Sequence, residues 1–245
     1  MRLNSGPGSK KIPDIRSADG SVISDPHEKA SKFAARFSAD FSTDNGIPLA
    51  LPPCQPPFFG RPIITAPLVE GTLAKMAPKM SSGEDGVPVR FLRAVRSELA
   101  RPLSELFRRM LNDADCPQAF LPVITVPVPK SGKRADSLDG YRPVSLGSAF
   151  ARVFERIANR QIMSFLVENG RIPRSQFGFL PGHSCVSQLI EYTDVISKNM
   201  TQGKTTFVVM LDLKSAFLAP PPAKLIESLA AVGITPPFLT WMAEY

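Results

Sequence analysis

Residues 205–217 read TTFVVMLDLKSAF, and the rest of the predicted sheet is arranged around them. Positions 207–211 form an apolar run of five residues that is typical of a strand buried inside a sheet and too short for a membrane helix. Asp212 follows directly, so the strand would bring its carboxylate to the rim of the sheet, where a charge can meet solvent, a metal ion or a phosphate. An acidic residue after a strand is also a common turn former or helix cap. The composition of the stretch alone leaves both roles of Asp212 open.

The pattern LDxxxAF at residues 211–217 closely resembles motif A of reverse transcriptases, in particular those of non-LTR retrotransposons. The resemblance implies that Asp212, with the neighbouring Leu213, binds magnesium and that the ring of Phe217 crowds the sugar of the incoming nucleotide. Carboxylate oxygens suit magnesium, and two such ions about 4 Å apart can stabilise the charge that spreads during phosphoryl transfer. A phenyl ring at position 217 would clash with a ribose 2′-hydroxyl and tolerate deoxyribose. A core position is the alternative for Phe217.

Size and charge define the broad class of the protein. The chain has 245 residues, 43% of them hydrophobic, which is enough for one domain with a real core and an irregular extension. Its net charge is +7 and its pI is near 9.5. Residues 129–175 hold nine Lys or Arg and four Asp or Glu, so this stretch carries +5 of that charge. Concentrated positive charge suits an anionic partner such as a nucleic acid.

Cysteine usage and hydropathy argue against several classes of protein. The three cysteines, Cys54, Cys116 and Cys185, lie far apart without ligand spacing, which favours neither a disulfide framework nor a zinc site. The start MRLNSGPGSKK lacks the apolar core of a secretory signal, and no apolar run approaches the length of a membrane span. An intracellular protein, nuclear or cytoplasmic and without a membrane partner, is therefore expected.

The first 80 residues are predicted to be an upstream extension, partly disordered. Residues 1–25 are polar and turn-forming, so little fixed structure is expected there. Residues 26–41 carry apolar positions at helical spacing, with Asp25 as a possible N-cap. Residues 47–67 contain seven prolines, which argues against a helix or a central strand. They predict an extended linker, which is either a spacer or a ligand for a small adaptor domain.

Residues 65–111 are predicted to form helices on both sides of one loop. A short helix is expected at 65–76. The loop SSGEDGV at 81–87 resembles SPGPDGI of the same reverse transcriptases, with Glu84 in the place of the usual proline. Residues 89–111 place apolar side chains on one face, and Pro102 is expected to divide them into two short helices. The arginines of this stretch are interpreted as a solvated face, with RNA contact as the alternative.

A β-hairpin is predicted from VPVPK, residues 126–130, and YRPVSL, residues 141–146. The pair resembles the hairpin in the fingers of the same family, IPKPGK followed by YRPISL, whose basic residues meet template and nucleotide triphosphate. Carried over, Arg142 is the first choice for a triphosphate contact because a guanidinium matches phosphate oxygens and keeps its charge. Lys130 is the second choice. From the residues alone, a surface loop with solvated lysines is the alternative.

Residues 148–169 predict the clearest helix of the chain, with an apolar stripe on one side. Arg152, Arg156 and Arg160 follow one another at fourfold spacing on the opposite side. This row is either a solvated face or a track for a nucleic-acid backbone. Further helices are predicted at 186–200, at 224–232 and from 237 onward.

The segment SQFGFLPGHS, residues 175–184, resembles QxGFRPGRS, which lies near the template strand in the family. The resemblance places Gln176, Gly178 and the neighbouring Arg174 on the template side. Leu180 and His183 stand where the family usually has arginines. Because each phosphate contact adds to a salt-dependent affinity, a weaker hold on nucleic acid is expected.

These features together predict an α/β fold of the α+β kind, a partial right-hand polymerase. Residues 1–80 would be the extension, 81–204 a fingers-like region and 205–245 the start of the palm. The intact relative would extend a DNA primer on an RNA template with deoxynucleoside triphosphates and Mg²⁺. The chain has no Asp-Asp pair, so it lacks the family's motif C, as it lacks motif B, and is expected to be inactive alone. A non-catalytic nucleic-acid-binding remnant and a decayed transposon copy are the alternatives.

Overall fold

A computed structural model describes residues 12–17, 20–41, 46–47, 56–213 and 215–245. Within these ranges the chain is a mixture of helices and two small antiparallel sheets. The strands are β1 (Ile15–Arg16), β2 (Val22–Ile23), β3 (Ile124–Pro129) and β4 (Tyr141–Leu146). The helices are α1 (Pro26–Ser38), α2 (Ala66–Lys75), α3 (Val89–Ala94), α4 (Arg96–Asp113), α5 (Ala149–Glu168), α6 (Cys185–Thr201), α7 (Pro222–Ala231) and α8 (Phe238–Glu244). Every helix in the described ranges is too short or too polar to span a lipid bilayer.

The main core lies between α2, α4, α5 and α8, whose apolar stripes face one another. At its centre the ring of Phe154 packs 5.3 Å from that of Phe107 and 4.6 Å from that of Trp241, centroid to centroid. Inclined aromatic pairs of this kind stabilise a core beyond the area they bury. The predicted stripe of α5 is confirmed, and the hydroxyl of Ser148 caps the helix by accepting from the N–H of Phe150.

The β3–β4 hairpin is confirmed, and its proline pattern fits its register. Pro127 lies opposite Pro143, and Val128 lies opposite Arg142. Because a proline pair cannot exchange two N–H bonds, it occupies a non-hydrogen-bonded site of the ladder. Pro129, two residues on, falls on the same class of site, so the outer edge of β3 also lacks donors. That edge is a poor template for pairing with a further strand.

A second core corrects the expectation for residues 1–25, of which 1–11 and 18–19 lie outside the described residues. β1 and β2 pair with each other and pack with α1 against the hairpin. Ile15 and Phe33 are fully buried there, and the ring of Phe33 meets that of Tyr141 edge-on at 5.0 Å. Two-residue strands are too short to leave a periodic pattern, so only their tertiary contacts reveal them. Asp25 caps α1 as predicted.

Pro102 does not break a helix, contrary to the prediction. The chain bends earlier, at Val95 with φ −109° and ψ 30°, and α4 then continues through Pro102. Pro102 has no N–H to donate to the carbonyl of Glu98. Because Glu98 and Pro102 are both exposed, water can donate a hydrogen bond to that carbonyl instead. Burial of Leu103 and Phe107 just beyond offsets the cost.

The predicted central strand at 207–211 is wrong in this structure. Residues 204–213 form neither helix nor strand, and Phe207 and Leu211 are each 90% exposed. A strand inside a sheet needs neighbours for its backbone N–H and C=O groups. The two sheets of the described residues are both two-stranded, and each pairs only within its own hairpin. The apolar run therefore has no strand beside it.

We expect Phe154→Ala to lower the free energy of unfolding by about 3–5 kcal/mol, because it removes the ring that joins Phe107 to Trp241. Phe91→Ala is the matched control, since Phe91 is 56% exposed, and its effect should stay within about 0.5 kcal/mol. Urea denaturation of both variants measures the difference. Equal losses would show that the core is not centred on Phe154.

Candidate nucleotide and nucleic-acid site

The hairpin presents the two predicted triphosphate contacts differently. Arg142 is exposed on β4, and its guanidinium has no polar partner among the described residues. Lys130 follows β3, and its ammonium donates to the backbone carbonyl of Asp139 at 2.9 Å. The Lys130 N–H also donates to the carbonyl of Gly140 at 2.7 Å, which extends the ladder by one bond. Arg142 is thus available to a ligand, whereas Lys130 also stabilises the loop end of the hairpin.

A chain of charged groups joins the hairpin to the segment after Asp212. The Arg36 guanidinium donates to the carboxylates of Asp139 at 2.6 Å and Asp40 at 2.8 Å. The hydrogen bonds to Asp139 and Asp40, in that order, raise the pKa of Arg36. Asp40 in turn accepts from the hydroxyl of Ser215 at 2.8 Å. Through α1, the turn at 215–218 is therefore fixed beside the hairpin.

Asp212 and Leu213 lie on the exposed side of this arrangement rather than at the end of a buried strand. Both are exposed, and the Asp212 carboxylate has no hydrogen bond or ion pair with a described residue. In the described part of the chain, no three His, Cys, Asp or Glu side chains come together as a metal site would require. Magnesium takes six oxygen ligands in near-octahedral geometry. One carboxylate and one backbone carbonyl would fill two of these six positions and leave the others to water or to substrate phosphates.

Phe217 lies outside both hydrophobic cores of the described residues. Its side chain is 84% exposed, and its ring meets the ring of Phe179 edge-on at 6.0 Å. Phe179 is 86% exposed and has φ +63°, a backbone conformation that is uncommon outside glycine. Two exposed aromatic rings therefore stand together beside the Ser215 turn.

The residues predicted for the template side form a turn of their own. The Gln176 side-chain amide donates to the carbonyl of Gly178 at 3.0 Å. A Cβ on Gly178 would lie 3.4 Å from that same amide nitrogen, so a small residue suits the turn. Arg174 just before it is exposed and forms no ion pair with another described residue. Gln176 thus stabilises the loop, and Arg174 is the more accessible group.

Arg36, Asp40 and Ser215 are the positions that sequence reasoning missed. Arg36 and Asp139 are 103 residues apart, and Ser215 and Asp40 are 175 apart. No short-range pattern in the sequence indicates contacts between residues so far apart. The one available hint was an arginine on the last turn of α1, which is as typical of a solvated helix end.

Comparisons with known proteins show which family and which relatives the chain resembles. Residues 128–245 match the family described as Reverse transcriptase (RNA-dependent DNA polymerase). The chain is 26% identical over 154 residues, 63% of its length and 17% of the relative, to the RNA-directed DNA polymerase from mobile element jockey of Drosophila melanogaster. It is 27% identical over 157 residues, 64% of its length and 17% of the relative, to the probable RNA-directed DNA polymerase from transposon BS of the same species.

The chain therefore spans about 17% of the length of these relatives. The family match starts inside β3 and includes Arg142, Gln176, Asp212 and Phe217. Residues 128–245 are therefore similar to the reverse transcriptase (RNA-dependent DNA polymerase) family.

Proposed function

We propose that the chain is the nucleotide- and template-binding part of an RNA-directed DNA polymerase of a non-LTR element. In this proposal residues 81–204 are a fingers-like region, 205–245 begin a palm and 1–80 are an upstream extension. The contact chain from Lys130 through Arg36 to Ser215 supports the proposal, because it links the loop end of the hairpin, where Lys130 lies, to the turn that follows Asp212.

Arg142 would bind the triphosphate of a deoxynucleotide, and Lys130 would assist it. A guanidinium offers a planar set of donors that matches phosphate oxygens, and its charge does not titrate. The Arg142 guanidinium is exposed and forms no ion pair with a described carboxylate. Binding a phosphate would therefore not require such an ion pair to break. Phe217 would limit the space at the sugar and exclude a 2′-hydroxyl. Arg174, Gln176 and Gly178 would face the template.

Members of this family generally use divalent metal ions, and Asp212 and the Leu213 carbonyl would supply two ligands to such an ion. In the described residues Asp212 is not part of any group of three His, Cys, Asp or Glu side chains, so we assign no bond-forming step to this chain alone. The exposed run at 207–211 fits the same proposal. It would become a sheet strand when another polypeptide segment offers it a partner for its backbone groups.

A nucleic-acid-binding protein without catalysis is the second candidate function. The single exposed carboxylate at Asp212 favours it, because two metal ions cannot be held by one acidic side chain. Both candidates predict RNA binding. They differ in whether Asp212 and Arg142 contribute to nucleotide binding.

We expect Arg142→Gln to weaken the binding of dTTP to the purified chain, because the variant loses a charged phosphate contact. One hydrogen bond to a charged group contributes about 1.5–3 kcal/mol, so its loss corresponds to roughly a tenfold to hundredfold rise in Kd. Arg134→Gln is the matched control in the same hairpin, since the Arg134 guanidinium already donates to Asp136 at 3.0 and 2.7 Å. Calorimetric titration measures both. An unchanged Kd in Arg142→Gln would remove Arg142 from the proposed site.

In a primer-extension assay with an RNA template, dNTPs and Mg²⁺, we expect no incorporation by the purified chain or by Asp212→Asn. The reason is the shortage of metal ligands around Asp212 in the described residues. Gel resolution of the primer is the measurement, with a complete reverse transcriptase as positive control. Incorporation by the chain that Asp212→Asn abolishes would show that the carboxylates we find are sufficient for catalysis.

A further inference from the structure

A groove of about 820 Å³ runs between α2 and α5, on a surface that no hairpin residue lines. Leu68, Thr72 and Lys75 line it from α2, and residues 156–168 line it from α5. Its wall is fixed by a reciprocal contact at one side. The Ile63 N–H donates to the Gln161 side-chain oxygen, and the Gln161 amide donates back to the Ile63 carbonyl, both at 2.8 Å. The groove is therefore a built feature of the fold.

The rim of this groove is cationic. Lys75, Arg156 and Arg160 line it, and an adjoining cleft of about 410 Å³ shares Arg156 and adds Lys79 and Arg152. Among the described residues, none of these five side chains has a carboxylate partner within ion-pair distance. The Nε of Arg152 is buried and has no hydrogen-bond acceptor there. A buried donor without an acceptor is costly, and an anionic oxygen in the cleft would remove that cost.

The acidic residues of the two cavities do not cancel this charge. Glu155 and Glu168 are the carboxylates that line them. The Tyr245 hydroxyl donates to Glu155, and the Ser164 hydroxyl donates to Glu168 at 2.6 Å. Five cationic side chains therefore face two carboxylates that already accept hydrogen bonds from hydroxyl groups.

The cations are also regularly placed. Arg152, Arg156 and Arg160 are four residues apart on α5, so successive side chains are separated by about 6 Å along the helix axis. A repeating row of positive groups complements a repeating row of phosphates better than it complements a single small anion. A polymer with regular negative charge is the fitting ligand.

The apolar lining of the groove indicates which kind of charged polymer it would bind. Leu68, Met163 and Val167 give the groove an apolar part of its lining, and the exposed ring of Phe179 lines it as well. Single strands offer unpaired bases that stack on aromatic and apolar side chains, whereas a duplex keeps its bases inside. A cationic rim with an apolar lining therefore suits a single strand.

We propose that the α2–α5 groove binds a single-stranded polynucleotide, with Lys75, Arg156 and Arg160 on its phosphates and the apolar lining against its bases. Neither Asp212 nor Arg142 lines this surface, but the inference rests in part on the proposed function, because Phe179 and Pro181 of the predicted template segment line the groove.

The test compares the full chain with the triple variant Lys75→Gln, Arg156→Gln, Arg160→Gln. The matched control is Lys32→Gln, Arg101→Gln, Arg109→Gln, which removes three exposed cations that line neither cavity. Fluorescence anisotropy follows binding of a labelled uridine oligomer, a thymidine oligomer and an RNA duplex over a range of salt concentrations. Thermal unfolding of each variant confirms that it is folded.

Each phosphate contact with a single strand adds about 0.7 to the slope of log affinity against log salt, so the groove variant should lose about 2 from this slope and the control should lose none. A loss with the RNA oligomer, the DNA oligomer or both supports the proposal and identifies the sugar. An unchanged slope, an equal loss in the control, or an equal loss with the duplex overturns it. Titration of dTTP into the groove variant keeps the two proposals apart, because that affinity should stay unchanged.

Discussion

The ion pairs of Arg36 with Asp40 and Asp139 hold the candidate site together. Arg36 and Asp40 are largely buried, with 24% and 16% of their side chains exposed, whereas Asp139 is 75% exposed. A guanidinium between two carboxylates is directional and can satisfy both at once. Loss of Arg36 would remove its charge-assisted hydrogen bonds to both carboxylates, and with them the link from the hairpin through Asp40 to the Ser215 hydroxyl. Arg36 therefore helps to hold the Ser215 turn against the hairpin.

The exposed run at 207–211, in contrast, has among the described residues neither the strand partner nor the apolar neighbours that a buried strand needs. Its composition is that of a buried strand, yet Phe207 and Leu211 lie in solvent. α6 beside it likewise contributes no buried residue, and the cavity between them is lined by Tyr192, Val195 and Phe207. Large exposed apolar surfaces on a folded chain mark places where another polypeptide packs.

The sequence predicted those parts of the fold that local chemistry controls. Helices α1, α5 and α6 begin where Asp25, Ser148 and Ser184 cap them, and the hairpin follows its apolar and proline pattern. Pro102 was misjudged because the packing of Leu103 and Phe107 outweighs a missing hydrogen bond. The prediction of a strand at 207–211 was wrong because composition indicates that a segment favours a buried strand, but it does not show whether another strand lies beside it. The contact of Ser215 with Asp40 could not be predicted, since it joins positions 175 residues apart without a local signal.

The most direct test of this account is a distance between the hairpin and the turn that follows Asp212. Spin labels introduced as non-natural residues at the exposed positions Lys133 and Ala216 report this distance by pulsed electron paramagnetic resonance. The account predicts one narrow distance distribution in the native sequence and a broad one in Arg36→Gln. A broad distribution in the native chain, or a narrow one that Arg36→Gln leaves unchanged, would contradict it.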